Sequence, residues 1–136
     1  MEAMEPADLD TAIALARAEV GAELNVPADA RRVRRLDRDG SYVLVQLGRV
    51  GEPGWLAAVD PRTWEVMTWA VNTSGNATFP ALPQTLNDVT SAELVWRPSD
   101  KSRSPLYPLL QLTTSSGEVY VDISGKIWTA LSDGHG

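Results

Sequence analysis

Few side chains in this 136-residue chain have the types and spacing that catalysis or metal binding needs. Cysteine is absent, and the one histidine, His135, is flanked by glycines near the C-terminus. Thiolate nucleophiles and cysteine zinc sites are excluded, and any zinc site would have to be mostly carboxylate, which is unusual. A histidine base needs a fixed partner, whereas we expect residues 132–136 to form a disordered tail. The sequence therefore predicts no catalytic residue, no metal site and no cofactor.

The aspartates stand where turns are expected. Residues 37–40, DRDG, resemble the start of a calcium loop but lack its later oxygen ligands, so we predict a hairpin turn. Asp60 and Asp122 occupy corresponding turns, where a carboxylate accepts hydrogen bonds from turn amides. An acid–base role for these two residues is the alternative.

Five arginines lie close together between residues 30 and 40, and they are Arg31, Arg32, Arg34, Arg35 and Arg38. On a strand they would make both faces basic, which favours an exposed edge strand. One interpretation is structural: charge protects the edge from aggregation, and the acidic N-terminal segment neutralises it. The other is a docking surface for an acidic protein, because guanidinium groups bind carboxylates well. The second interpretation predicts that Arg32→Ala and Arg34→Ala weaken binding.

The five tryptophans divide by their position along the predicted strands. Strict alternation puts Met67, Trp69 and Val71 on one face, and we expect them to fill the core. Trp64 directly follows a turn and falls on the opposite face, where packing onto the neighbouring hairpin is the first interpretation. The alternative is an exposed anchor in a binding interface, which makes Trp64 a candidate binding residue.

Charge and hydropathy narrow the range of partners. The net charge is −6, which argues against a nucleic-acid partner. No apolar run reaches the roughly 20 residues that span a bilayer, and the N-terminus is acidic where a signal peptide is basic. We expect a cytoplasmic protein with no membrane partner, or an envelope or secreted one if a leader precedes Met1.

The elements that must position these residues are one helix followed by eight strands. Leu9, Ile13, Ala16, Val20 and Leu24 form an apolar stripe that predicts a helix over about 6–24. Runs of β-branched and aromatic residues between turn signals predict strands, with short turns that indicate antiparallel hairpins. The predicted strands are about 31–36, 41–48, 55–59, 64–71, 92–98, 106–113, 118–122 and 126–131.

Two parts of the chain repeat each other. YVLVQL at 42–47 matches YPLLQL at 107–112 at an offset of 65, and Val59-Asp60 matches Val121-Asp122 at an offset of 62. Insertions in turns are what a folded repeat tolerates. We interpret one domain over 1–136, with a first repeat at about 8–71, a linker at 72–91 in place of a second helix, a degenerate second repeat at about 92–131, and the tail.

The order of helix, strand, AAVDPRT turn at 57–63 and closing strand with tryptophan resembles the PepSY-like family. VYVD at 119–122 and SGKI at 124–127 offer the same signature again. The resemblance implies a cystatin-like fold and a non-catalytic role in inhibiting or regulating partner proteins, often at the cell envelope. Trp64 departs from the pattern, because the family usually has glycine in this turn. Short bacterial immunity proteins are a second likeness.

Together these features predict an α+β protein, with one N-terminal helix packed on a curved antiparallel sheet of two repeated four-strand meanders. We expect a protein-binding module that is inhibitory or regulatory. The alternatives are a small-molecule-binding or enzymatic domain with an aromatic-lined pocket, and an immunity-type or structural subunit.

A single helix can cover only part of the predicted sheet. One helix cannot cover eight strands that lie about 4.8 Å apart, yet 42–47 is apolar on both faces. The uncovered face would need the 72–91 segment, the sheet folded onto itself, or a second subunit. The third possibility predicts a homodimer through that face.

Overall fold

The computed structural model describes residues 6–37, 40–49, 52–72, 79–80, 82–83, 88–98, 104–122 and 125–129. Arg38, His135 and the tail at 132–136 lie outside these ranges, as does most of 73–87. Its contacts divide the chain into two compact units. The first unit is Met1–Arg32 with Ser41–Ala77, and the second unit is Val33–Gly40 with Thr78–Gly136.

The α+β class is confirmed, since one helix packs on a mixed sheet of eight strands. The elements are α1 (Pro6–Val20), β1 (Ala28–Arg35), β2 (Ser41–Leu47), β3 (Gly54–Asp60), β4 (Glu65–Asn72), β5 (Ser91–Trp96), β6 (Leu109–Thr114), β7 (Gly117–Val121) and β8 (Ile127–Trp128). Hydrogen-bonded neighbours follow the order β4-β3-β2-β1-β5-β6-β7-β8.

The helix ends earlier than predicted, at Val20. Gly21 has a φ of 74°, and the N–H groups of Gly21 and Ala22 both donate to the carbonyl of Arg17, at 2.9 and 3.0 Å. A glycine in the left-handed region with these two bonds closes a helix end by satisfying its last carbonyls. Leu24 is consequently 89% exposed, so its predicted place on the apolar stripe is wrong.

The helix packs on the sheet through small side chains. Ala12 and Ala16 are fully buried against a cluster that includes Val43, Val45 and Ala57. Alanine lets the helix axis come close to the strands, and contact is made over β2, β3 and β4.

The sheet is not wholly antiparallel, because β1 pairs with β5 in parallel. Arg34 lies opposite Val95, and Arg35 lies opposite Trp96. A parallel pair needs a long crossover connection, and the chain between the end of β1 at Arg35 and the start of β5 at Ser91, which contains β2, β3 and β4, is long enough to supply one. The prediction of a purely antiparallel sheet is therefore wrong at this pair.

The position of β1 also differs from the prediction of an exposed edge strand. It lies between β2 and β5 in the strand order, so it is an interior strand. Its arginines are accommodated there because polar partners meet their guanidinium groups, as described below.

Strand β2 is buried on both faces within the single chain. Every residue from Tyr42 through Leu47 is buried, and Tyr42 and Leu44, which share the face that was expected to lack cover, are 1% and 0% exposed. This face is already buried without a second subunit. The homodimer was predicted because this face was expected to be uncovered, so that argument for a homodimer no longer holds.

Strand pairing does not reproduce the repeat offset of 65. Val43 lies opposite Val59 in the first unit, whereas Val121 in the second unit lies opposite Leu110. Val43 corresponds to Pro108 at the offset of 65, so an exact repeat would place Pro108 opposite Val121. The residue that lies opposite Val121 is Leu110, two positions later. The two hairpins therefore differ in register as well as in turn length.

Candidate functional site

The arginines of β1 find partners inside the protein. In the first unit, Nε of Arg32 donates to Oγ of Ser41 at 3.0 Å. In the second unit, Arg34 donates from Nε to Oε2 of Glu93 at 2.9 Å and from Nη2 to Oε1 of Gln111 at 3.1 Å. These contacts support the structural interpretation of the cluster, and docking of an acidic protein on Arg32 and Arg34 stays a prediction.

The side chain of Arg35 is only 11% exposed. Its Nε donates to Oδ1 of Asp37 at 3.1 Å, and its Nη2 donates to Oδ2 of Asp37 at 3.0 Å. Its guanidinium also lies 5.2 Å from the ring centroid of Trp96, a cation–π distance. These contacts hold the guanidinium against the end of β1.

Trp64 occupies the last position of the turn between β3 and β4, with a φ of 56°. Its N–H donates to the carbonyl of Asp60 at 2.7 Å, and the N–H of Arg62 donates to Oδ1 of Asp60 at 2.9 Å. In the second unit, the turn after Asp122 uses Gly125 in the same left-handed region, with a φ of 88°. Tryptophan therefore stands where this turn geometry favours glycine.

The Trp64 indole packs against the helix-side core instead of standing clear as an exposed anchor. It is half-buried, and it contacts the cluster built around Ala12, Ala16 and Val59. Burial of a large aromatic surface offsets the backbone strain, which is about 1–2 kcal/mol for a side chain in this region. A binding role for Trp64 stays a prediction, and its observed contacts are structural.

The apolar side chains of β4 are the exposed ones. Met67, Trp69 and Val71 are 38%, 42% and 54% exposed, so the prediction that they fill the core is wrong. Trp69 lies opposite Ala57, and Val71 lies opposite Trp55, which places both on the helix side of the sheet. A helix is about 10 Å wide and covers about two strands, so it leaves the outermost strand partly open.

A β-bulge changes which residues of β4 share a face. The register shifts between Ala58 and Val59, so that Val59 lies opposite Val66 and Ala58 lies opposite Thr68. Met67 is therefore the extra residue of the bulge, and Val66 takes the helix-side place that strict alternation gives to Met67. Val66 packs against the core cluster as a result.

The protective features of the outer edge of β4 are confined to the start of the strand. β4 is the last strand in the order, and none of the described strands pairs with its outer side. Natural edge strands are often short, or they contain lysine or proline, and these features prevent pairing with other chains. β4 has eight residues, EVMTWAVN, with one charge at its start and a bulge two residues later. From Thr68 onward the strand is regular and uncharged, with Trp69, Ala70 and Val71 between two polar residues.

In the second unit, Asp88 ties the β6–β7 turn to the segment before β5. The N–H of Ser115 donates to Oδ2 of Asp88 at 3.1 Å, and the Ser115 hydroxyl donates to the same oxygen. These hydrogen bonds favour the ionised form, so they lower the pKa of Asp88 below its ordinary 3.8.

Substitution of Trp64 tests the strain in its turn. We expect Trp64→Gly to be less destabilising than Trp64→Ala by about 1 kcal/mol, because glycine adopts a φ of 56° freely whereas alanine does not. Both variants should be less stable than the wild type, since both lose the indole packing. Urea unfolding followed by circular dichroism gives the free energies.

The adjacent Thr63, where φ is not positive, is the matched control for this comparison. Thr63→Gly should be no more stable than Thr63→Ala. Equal stabilities of Trp64→Gly and Trp64→Ala would mean that the turn is not strained.

The lowered pKa of Asp88 predicts a pH-dependent contribution to stability. The contribution is complete above the ordinary pKa of 3.8 and is lost as the pH falls through the lower folded-state value. We expect Asp88→Asn to be less stable than the wild type at pH 7, with the gap closing in strong acid. A Ser115→Ala background should shrink the gap at pH 7, and a gap that is constant from pH 7 to 2 would contradict the link to ionisation.

In the part of the chain that the structure describes, no three histidine, aspartate or glutamate side chains come together to hold a metal ion. Among the same residues, no helix has both the length and the apolar character to cross a bilayer. Comparisons with protein-family models, with curated proteins and with solved structures give no match.

Proposed function

We propose that this protein is a non-catalytic protein-binding module, inhibitory or regulatory in role, that receives a segment of its partner along the outer edge of β4. The observation that carries the proposal is a strand edge with which no other described strand pairs, together with Trp69 and Val71, 42% and 54% exposed, beside it. Backbone hydrogen bonds to an edge give affinity, and side chains next to the edge give selectivity.

Tryptophan is well suited to this place. A partly exposed indole on a rigid strand presents a large apolar surface at low conformational cost, and such residues dominate the energetics of many interfaces. Among the strands that the structure describes, β3 alone pairs with β4, where Ala57 lies opposite Trp69. Added backbone on the other side would complete the pairing and cover the ring.

We also propose a PepSY-like, cystatin-like relationship with two repeated four-strand meanders. It is supported by the order of the strands, in which the first four and the last four each follow one another as neighbours. It is supported as well by the corresponding turns at Asp60 and Asp122, both of which accept a hydrogen bond from a turn amide. The role implied by that likeness, regulation of a partner protein, agrees with an open binding edge.

Substitutions on β4 test the binding site directly. We expect the double variant Trp69→Lys with Val71→Lys to fold, because both side chains are exposed, and to retain at least tenfold less partner than the wild type. Lysine on an edge strand opposes strand addition. The measurement is affinity capture from the source organism's lysate with quantitative mass spectrometry.

The matched control is Ile127→Lys, which changes a residue of similar exposure, 40%, on β8 in the second unit. It should retain the partner at the wild-type level. If the β4 double variant, shown to be folded, captures the same proteins in the same amounts as the wild type, β4 is not the binding site.

A further inference from the structure

The charges around β4 indicate what kind of segment the edge accepts. We infer that the partner segment is an extended peptide with apolar side chains at alternate positions and a lysine or arginine near each end. This inference rests on the proposed function and specifies its ligand.

The regular part of the edge sets the apolar pattern of the peptide. β4 is eight residues long, or about 27 Å, and its regular stretch follows the bulge at Met67. Side chains two apart share a face, so every second residue of an added strand would lie beside Trp69 or Val71. A peptide with apolar residues at alternate positions would therefore place apolar side chains against Trp69 and Val71.

Two exposed carboxylates that form no ion pair among the described residues lie near the ends of β4. Glu65 is exposed at the start of β4. Glu52 is exposed in the loop before β3, the inner neighbour of β4, two residues before Gly54, which is opposite Asn72. No ion pair among the described residues includes either one. Asp60, opposite Glu65, is by contrast paired with Arg62 at 3.7 Å.

The charge of the whole first unit acts in the same direction. Its sequence has ten aspartates and glutamates against five arginines, which is five of the six net negative charges of the chain. Complementary charge speeds association and selects partners. A basic segment is attracted to this unit and an acidic one is repelled.

The same charges disfavour a second copy as the occupant. A parallel copy on this edge would set Glu65 beside its equivalent, and in either orientation the negative charge of one first unit would repel that of the other. Like charges opposite each other destabilise strand pairs. The edge is thus suited to a different, basic chain.

Synthetic peptides test the inference on the full-length protein. The probe is a capped nine-residue peptide, Lys-Val-Thr-Val-Thr-Val-Thr-Val-Lys, and its matched control has glutamate at both ends. We expect the lysine-ended peptide to bind at least tenfold more tightly at low salt, with a ratio that falls as salt screens the charges. Fluorescence anisotropy gives the dissociation constants, and amide chemical shifts locate the site.

Two further changes separate strand addition from simple attraction. The variant Glu52→Lys with Glu65→Lys should reverse the preference, so that the glutamate-ended peptide binds more tightly. N-methylation of alternate peptide residues should abolish binding for one set and leave it nearly unchanged for the other, because a strand directs alternate N–H groups to its neighbour.

The outcomes distinguish this inference from the proposed function. If both peptides bind equally, or both N-methylated sets bind, the inference falls; loss of that binding in the Trp69→Lys variant would still support the β4 site. Binding of the lysine-ended peptide that Trp69→Lys leaves unchanged would place it elsewhere and overturn both. No binding of either peptide at millimolar concentration overturns the inference, while the capture experiment decides the proposed function separately.

Discussion

Strand β2 is apolar on both faces, and both faces must be removed from water. Burial of Val43 and Val45 requires the helix, which is why Ala12 and Ala16 are small enough to let it approach. Burial of Tyr42 and Leu44 on the opposite face is equally complete. The helix therefore sits over the middle of its unit, and its width determines which strand is left partly open.

That strand is β4, and its hairpin shows how the core shapes the edge. The bulge at Met67 turns Val66 toward the core, and the strained turn turns the Trp64 indole toward it as well. The bulge and the turn thus place the side chains of Val66 and Trp64 against the helix-side core, close to the β3–β4 turn. Neither reaches Trp69 and Val71, which lie farther along the strand, so these residues stay exposed beside an edge with which no other described strand pairs.

The positions of the helix and the strands could be predicted from the sequence, but the parallel pairing of β1 with β5 could not. Alternation and turn residues predicted eight strands close to their observed bounds, because strand periodicity and turn chemistry are local properties. The parallel pairing of Arg34 with Val95 depends on a long connection that has no such local signal. The helix end at Gly21 was predictable in principle, since glycine after an apolar stripe is the common stop signal.

The candidate site was missed for the same reason. Trp69 was expected in the core because alternation reports which residues share a face and not which strand lies at the edge. The arginines drew attention as a cluster, yet Glu93 and Gln111, which bind Arg34, are far from it in sequence. Absence of lysine and proline from β4 was the one available signal, and it gains meaning only once the strand order is known.

Amide hydrogen exchange along β4, measured by NMR on the protein alone, is the most direct test of an open edge. An edge strand points alternate N–H groups toward its neighbour and toward solvent. If the outer edge of β4 is open, slow and fast exchange should alternate from Thr68 to Val71. Uniformly slow exchange over these residues would show that another part of the chain already covers the edge, and would contradict a binding role for it.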